Sequence, residues 1–269
     1  MEGKKGKHAK KSKKPIDTQV ISIINQKGGV GKTTTAINLS VIIASMDFKV
    51  LLVDLDPQGN TTSGIGINKR DLHACVYNVL LEEANPEEIV LRDVRENLDV
   101  LPATINLAGA EVELVTEFSR ESRLKEALVP FIGTYDFIFI DCPPSLGLLT
   151  VNGLTAADSL IIPIQSEFYA LEGVTKLLES MKLVKNRLNK KLEIFGVVIT
   201  MYDGRTTLSK QVAQEVRDYF GNMVFDTIIP RSVKLSEAPS YGESIIEYQP
   251  ESKGAKAYIE LAKEVIDRG

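Results

Sequence analysis

Val20-Ile21-Ser22-Ile23-Ile24-Asn25-Gln26-Lys27-Gly28-Gly29-Val30-Gly31-Lys32-Thr33-Thr34 begins as a β-branched apolar run and passes into a glycine-rich turn. Thr35-Ala36-Ile37-Asn38-Leu39-Ser40-Val41-Ile42-Ile43-Ala44 follows with helical apolar spacing. Strand, tight turn and helix in that order place backbone N–H groups at a helix N-terminus, where they cradle phosphate. The ending Gly31-Lys32-Thr33 suits that use: Lys32 reaches β- and γ-phosphates, and the Thr33 hydroxyl holds Mg²⁺. The front of the loop does not fit the spacing Gly-x-x-x-x-Gly-Lys-Thr. It carries a second lysine, Lys27, instead.

Outward from this stretch the pattern alternates strand and helix to the end of the chain, which predicts α/β architecture. Strands are expected over Lys49–Asp54, Leu98–Pro102, Asp136–Asp141, Ser159–Ile164, Leu192–Thr200 and Met223–Ile229. Thr61–Gly66 reads as a loop, and Val76–Glu82, Pro86–Val90, Gly109–Phe118 and Ser122–Phe131 as helices, the last capped by Ser122. Leu171–Leu188 and Leu208–Phe220 complete the helical set. The expected fold is a single-domain, mostly parallel twisted sheet flanked by helices on both faces, the P-loop NTPase fold. No internal repeat or linker interrupts it.

The bulk properties agree. A chain of 269 residues with 43% hydrophobic content can close one large core. No apolar run approaches the ~18–20 residues that span a bilayer, and none near the N-terminus resembles a secretory signal. Cys75 and Cys142 form neither a disulfide framework nor a metal-ligand spacing, and a cytoplasmic location is expected. Residues 1–14 carry seven lysines against Glu2, a local +6; the chain's net −4 therefore leaves −10 on the remainder. Residues 1–15 are expected to be a basic, disordered tail, either holding an anionic polymer or simply solvated, with 16–269 as the folded domain.

Ligands of open α/β sheets bind at the carboxyl edge of the strands. Asp54 and Asp56 sit there after one strand and Asp141 after another. Asp141 suits a Mg²⁺ site, directly or through a water. Asp54 and Asp56 are two apart on an extended segment and point oppositely, so one of them is placed to orient an attacking water; their order alone does not choose. Cys142 reads as a small buried residue rather than a redox group. His8 and His73 have no metal-ligand company, and no Gly-x-Ser-x-Gly elbow is present.

Several separated motifs then coincide. Lys27-Gly28-Gly29-Val30-Gly31-Lys32-Thr33-Thr34 resembles the deviant phosphate loop of the ParA/MinD ATPase superfamily. Val53-Asp54-Leu55-Asp56-Pro57-Gln58-Gly59-Asn60, Asp141-Cys142-Pro143-Pro144-Ser145, Ala170-Leu171-Glu172-Gly173 and the stretch from Ile229 to Ser240 match its later motifs, closest to the Soj-type chromosome-partitioning branch. The resemblance runs from about Val20 to the C-terminus and implies ATP and Mg²⁺ as ligands. It implies catalytic roles for Lys27, acting across a nucleotide-sandwich homodimer, and for Lys32 and Asp56. Nucleotide contacts are implied for Lys27 to Thr34, that is Lys27, Gly28, Gly29, Val30, Gly31, Lys32, Thr33 and Thr34, and for Pro230 and Ser232. Metal binding is implied for Thr33 and Asp141, and sequence-independent duplex DNA binding for Arg205, Lys234 and, less closely, Arg231.

The function so implied is ATP-dependent dimerisation on nucleoid DNA, with release when a ParB-type centromere-binding protein stimulates hydrolysis. A MinD-like membrane-cycling ATPase is the alternative. It requires a basic amphipathic C-terminal helix, whereas Ala257–Arg268 mixes acidic and basic positions and reads as core-packing. An iron–sulfur reductase would need cluster cysteines that Cys75 and Cys142 do not provide. A gated scaffold without turnover sits poorly with Lys32, Thr33 and Asp56 together.

Overall fold

A computed structural model describes residues 17–167 and 170–269. Eight strands run in chain order: β1 Gln19–Ile23, β2 Val50–Asp54, β3 Leu91–Arg95, β4 Leu98–Leu101, β5 Phe137–Asp141, β6 Ser159–Gln165, β7 Glu193–Tyr202 and β8 Val224–Pro230. They form one sheet in the order β3-β4-β2-β5-β1-β6-β7-β8. Every neighbouring pair is parallel except the β3–β4 hairpin. In register, Ile23 lies beside Asp141, and Asp141 beside Asp54, so three strand ends meet at one edge.

The helices are α1 Lys32–Ser45, α2 Asn60–Gly64, α3 Val76–Leu80, α4 Pro86–Ile89, α5 Leu107–Glu113 and α6 Arg123–Leu128. They continue as α7 Leu148–Ala156, α8 Glu172–Arg187, α9 Thr207–Phe220, α10 Val233–Glu237, α11 Ile245–Tyr248 and α12 Lys253–Arg268. Side chains of β1, β2 and β5 alternate between two cores. Ile21, Ile23, Leu52 and Phe139 pack with α1 and α12 on one face; Leu51, Val53, Ile138 and Ile140 pack with α3 and α5 to α9 on the other. Burial on both faces explains the unbroken apolar runs of these strands.

The expected parallel sheet with both faces covered is present, with differences in detail. Thr61–Gly66, expected as a loop, begins inside α2, because Gly59 at φ 61° turns the chain into a helical start. Gly109–Phe118 is helical only to Glu113, followed by a single tight turn at Leu114–Thr116. Ser122 precedes α6, yet its hydroxyl donates to Ser119 O and caps nothing. The elements not expected were β3, α7 and the short helices α10 and α11. β3 carries Arg92, Asp93 and Arg95, as suits an edge strand, and turns into β4 at Asn97, φ 60°. α7 (Leu-Leu-Thr-Val-Asn-Gly-Leu-Thr-Ala) is mostly buried, and a buried helix shows no amphipathic period.

α12 buries Tyr258, Leu261, Ala262 and Val265 against α1 and β8, as expected of a core-packing helix. Among the described residues no helix is long and apolar enough to cross a membrane. The lysine-rich residues 1–15 lie outside the described residues.

Candidate active site

Two residues past the end of β1 stands Asn25, whose side chain is fastened at both ends: Nδ2 donates to Pro163 O at 2.7 Å, and Oδ1 accepts from Lys27 N at 3.0 Å. The loop then turns through Gly29 (φ 74°) and Gly31 (φ 94°), conformations that a side chain would strain. Gly31 starts α1, so the free N–H groups of its first turn face the loop.

Lys32 is buried, and its ammonium donates to Lys27 O at 3.2 Å. Burial pulls its pKa down, while Asp141 and then Asp56 oppose that pull. The Thr33 hydroxyl donates to Asp141 Oδ2 at 2.7 Å, and the Thr61 hydroxyl donates to the same oxygen at 2.7 Å. The other oxygen of Asp141, Oδ1, is buried and lacks a partner among the described residues. An orphaned carboxylate oxygen next to a threonine hydroxyl is a hard oxygen donor set, and it fits Mg²⁺. Burial raises the Asp141 pKa to about 6.

Asp54 and Asp56, which spacing alone did not distinguish, occupy different surroundings here, because β2 ends at Asp54. Asp54 is fully buried and accepts from Thr62 N (2.8 Å), Thr62 Oγ1 (2.7 Å) and Asp56 N (3.2 Å), pinning α2 to the sheet. Burial, then the nearby Asp141, lifts its pKa to about 7. Asp56 accepts from Gln58 N at 2.9 Å and lines a cavity of about 320 Å³. Gly28, Gly29, Gly31, Lys32, Thr33 and Thr34 line the same cavity. Lys27 is half-buried beside it without lining it, and the Val30 side chain is buried, leaving its backbone to serve the loop.

A second cavity of about 190 Å³ adjoins the first through Gly31, Thr34 and Met201. Pro230 and Ser232 line it, together with Ile229, Leu235 and Tyr258. Its apolar lining and small size suit a planar ring beside the phosphate loop. Thr61, Thr200, Met201 and Tyr258 were not expected at the site. Thr61 follows the second motif directly, which was the available signal; the others arrive only through folding.

The basic positions gather at the ends of β7 and β8. Arg205 is exposed and forms a two-point pair with Asp203, Nε–Oδ1 2.9 Å and Nη2–Oδ2 2.7 Å. Arg231, also exposed, lies close enough to Asp203 to help hold its carboxyl down at about 2, behind the larger effect of Arg205. Lys234, on α10, pairs with Glu237 at 2.9 Å and lies 5.6 Å from the centre of the Tyr248 ring. Each cation is thus exposed, and Arg205 and Lys234 are each paired with a neighbouring carboxylate. Cys142, by contrast, is wholly buried against Gly153, and burial pushes its thiol up to about 12. Cys75 is buried too.

A family model described as an AAA domain matches residues 18–194. The sporulation initiation inhibitor protein Soj of Bacillus subtilis (strain 168) is 57% identical over 251 residues, covering 93% of this chain and 99% of that protein. The chain belongs to the ParA/MinD family. The chromosome partitioning protein ParA of Myxococcus xanthus (strain DK1622) is 50% identical over 250 residues, 93% of this chain and 88% of its own length. Among solved structures, the cobyrinic acid a,c-diamide synthase of Mycobacterium smegmatis, with bound ADP and magnesium, superimposes with a TM-score of 0.81. It is 40% identical and is covered to 94%, with 93% of this chain. Of the motif residues, Gly28, Gly29, Gly31 to Thr34, Asp56, Gln58, Asn60 and Pro144 line the first cavity, and Ile229 to Val233, Leu235 and Ser236 line the second.

Proposed function

We propose that this chain is a Mg²⁺-dependent ATPase that partitions chromosomes or plasmids as a nucleotide-gated DNA-binding switch. The carrying observation is that Lys32, Thr33 and Asp56 line one cavity at the head of α1, with the buried Asp141 carboxylate hydrogen-bonded to Thr33 behind it. N–H groups from Gly28 to Thr34 bind the phosphates, and Lys32 neutralises them. Thr33 and Asp141 hold Mg²⁺, which when bound stabilises the charge on the phosphate oxygens. Asp56 orients the attacking water. Pro230 and Ser232 receive the base.

Lys27 stands beside this cavity rather than in it, which supports its action across a sandwich dimer on the partner's nucleotide. Positive charge then arrives only when two copies close, so hydrolysis requires dimerisation. Arg205, Lys234 and Arg231 supply the local positive surface that a body at net −10 needs to hold duplex DNA. A ParB-type protein triggers hydrolysis and release, and residues 16–269 act as one domain, cytoplasmic and associated with the nucleoid.

The test is binding of non-specific duplex DNA with ATP, with ADP and without nucleotide. Binding strengthened by ATP alone supports the proposal, and Asp56→Ala is expected to trap the ATP-bound dimer on DNA. Equal affinity in all three conditions overturns it.

A further inference from the structure

Thr200 stands near the end of β7, just past its apolar run, and is 2% exposed. Its hydroxyl donates to the carbonyl of Val30 at 2.8 Å. Its methyl carbon lies 3.8 Å from the point where a Cβ on Gly31 would stand. The peptide that joins the phosphate loop to α1 is therefore clamped to the end of a strand that sequence reasoning gave no role.

From Thr200 the chain runs in five further residues to Arg205. Met201, the next residue, has φ 52°, a left-handed conformation that is costly for a residue other than glycine. It lines both the phosphate cavity and the second cavity beside it. The segment is braced from behind by two buried serines. Ser166 N donates to Thr200 O at 3.0 Å, and Ser166 Oγ donates to Met201 O at 3.2 Å. Asp203 N donates to Ser209 Oγ at 3.4 Å, and Ser209 Oγ in turn lies 3.3 Å from Ser166 Oγ. At the far end Tyr202 O accepts from Arg231 N at 3.0 Å, and the Asp203 carboxylate grips Arg205. Both arginines of the basic patch hang from this one segment.

We infer that Thr200 is a positioning residue that couples the phosphate loop to the basic patch, with the segment Thr200–Arg205 carrying the nucleotide state between them. The patch's role in holding DNA rests on the function proposed above; the coupling itself does not. A buried hydrogen bond is expensive to leave unmade, so any shift of the Val30–Gly31 peptide as phosphate fills the loop draws Thr200 with it. Met201 is the place where that shift can be absorbed or passed on. A single dihedral change, from the left-handed region to the extended one, relieves its strain and re-aims Tyr202 to Arg205. The segment has two discrete arrangements in reach, and a ligand that favours one of them moves the other end.

The experiment is amide hydrogen exchange over residues 200–206, with saturating ATP and with saturating ADP, in the wild type and in Thr200→Val. Thr200→Val keeps the shape and removes the donor. The wild type is expected to show nucleotide-dependent exchange at Tyr202 to Arg205, Thr200→Val to lose that dependence, and Thr200→Ser to restore it. DNA affinities measured at the same saturating levels are expected to differ between ATP and ADP by about tenfold in the wild type and less than about threefold in Thr200→Val. Should Thr200→Val fail to fold, Met201→Gly takes the positive φ without strain and is expected to uncouple the two ends likewise. Exchange at Tyr202 to Arg205 that still follows the nucleotide in the folded variant overturns the inference. Equal DNA affinity with ATP and ADP in a wild type whose exchange does respond removes the DNA-binding role and leaves the coupling standing.

Discussion

The Thr33 hydroxyl donates to Asp141 Oδ2 at 2.7 Å across 108 positions of sequence, joining the first turn of α1 to the end of β5. Thr61 donates to the same oxygen from α2, so one carboxylate gathers three chain segments and still leaves Oδ1 without a partner among the described residues. That residual acceptor is what a hard cation would use.

Thr33→Ala removes one donor to Asp141 and one oxygen from the cation site. Mg²⁺-dependent nucleotide affinity, measured by titration of Mg²⁺ against a fluorescent ATP analogue, is expected to weaken by about tenfold or more. Nucleotide affinity in the presence of EDTA is expected to change far less. An equal loss with and without Mg²⁺ would place Thr33 on the phosphates alone.

Lys27 lies beside the phosphate cavity, not in it. Lys27→Ala is therefore expected to bind ATP as a monomer, with turnover reduced on the order of a hundredfold or more, comparable to removal of a transition-state charge donor. Light scattering with ATP checks it; a dimer at wild-type affinity would return Lys27 to its own nucleotide.

Arg205 and Lys234 are exposed; of their acidic partners Glu237 is the more exposed and Asp203 half-buried. Surface pairs contribute little to stability, so Arg205→Glu with Lys234→Glu is expected to leave Tm and ATP binding near wild type. Duplex binding is expected to fall steeply, and the slope of log K against log salt to drop by about 0.9 for each phosphate no longer neutralised. Retained DNA affinity would move the interface elsewhere.

Burial raises the carboxyl pKa of Asp54 to about 7 and of Asp141 to about 6. A carboxyl whose folded pKa exceeds its unfolded value, near 4, holds its proton more tightly when folded. Its stabilising contribution is full below about pH 4 and is lost as pH rises through about 7. Nucleotide-free protein is thus expected to lose Tm between about pH 4 and about pH 7 through these two groups, with no further loss from them above that. Asp54→Asn, which stays neutral, is expected to flatten that decline in a differential scanning measurement, and added Mg²⁺ to offset the part owed to Asp141.

Much of this site was legible one residue at a time. Gly31-Lys32-Thr33 declared its use because a phosphate loop is a local structure, made by a turn and the helix that follows it. Asp141 declared itself by closing an apolar run, because a charge at a buried strand end needs a reason. Asp54 and Asp56 stayed equivalent until the family resemblance named Asp56; the end of β2 between them, and the Thr62 hydrogen bonds that claim Asp54, are consistent with that order. α7 was invisible because a helix buried on most sides has no polar stripe to betray its period.

The sequence by itself determined the sheet with helices on both faces, the phosphate loop at its edge and the acidic strand ends that surround it. These follow from short-range periodicity and from residue types whose chemistry is local. Only the tertiary structure decided that Thr61 shares Asp141 with Thr33, that Tyr258 from the last helix lines the cavity beside the phosphate loop, and that Thr200 clamps Val30 from 170 residues away. Those pairings depend on strand order, β5-β1-β6-β7, and nothing in a threonine's immediate neighbours records which strand will lie beside it. The phosphate loop is therefore local in its chemistry and non-local in the contacts that hold it.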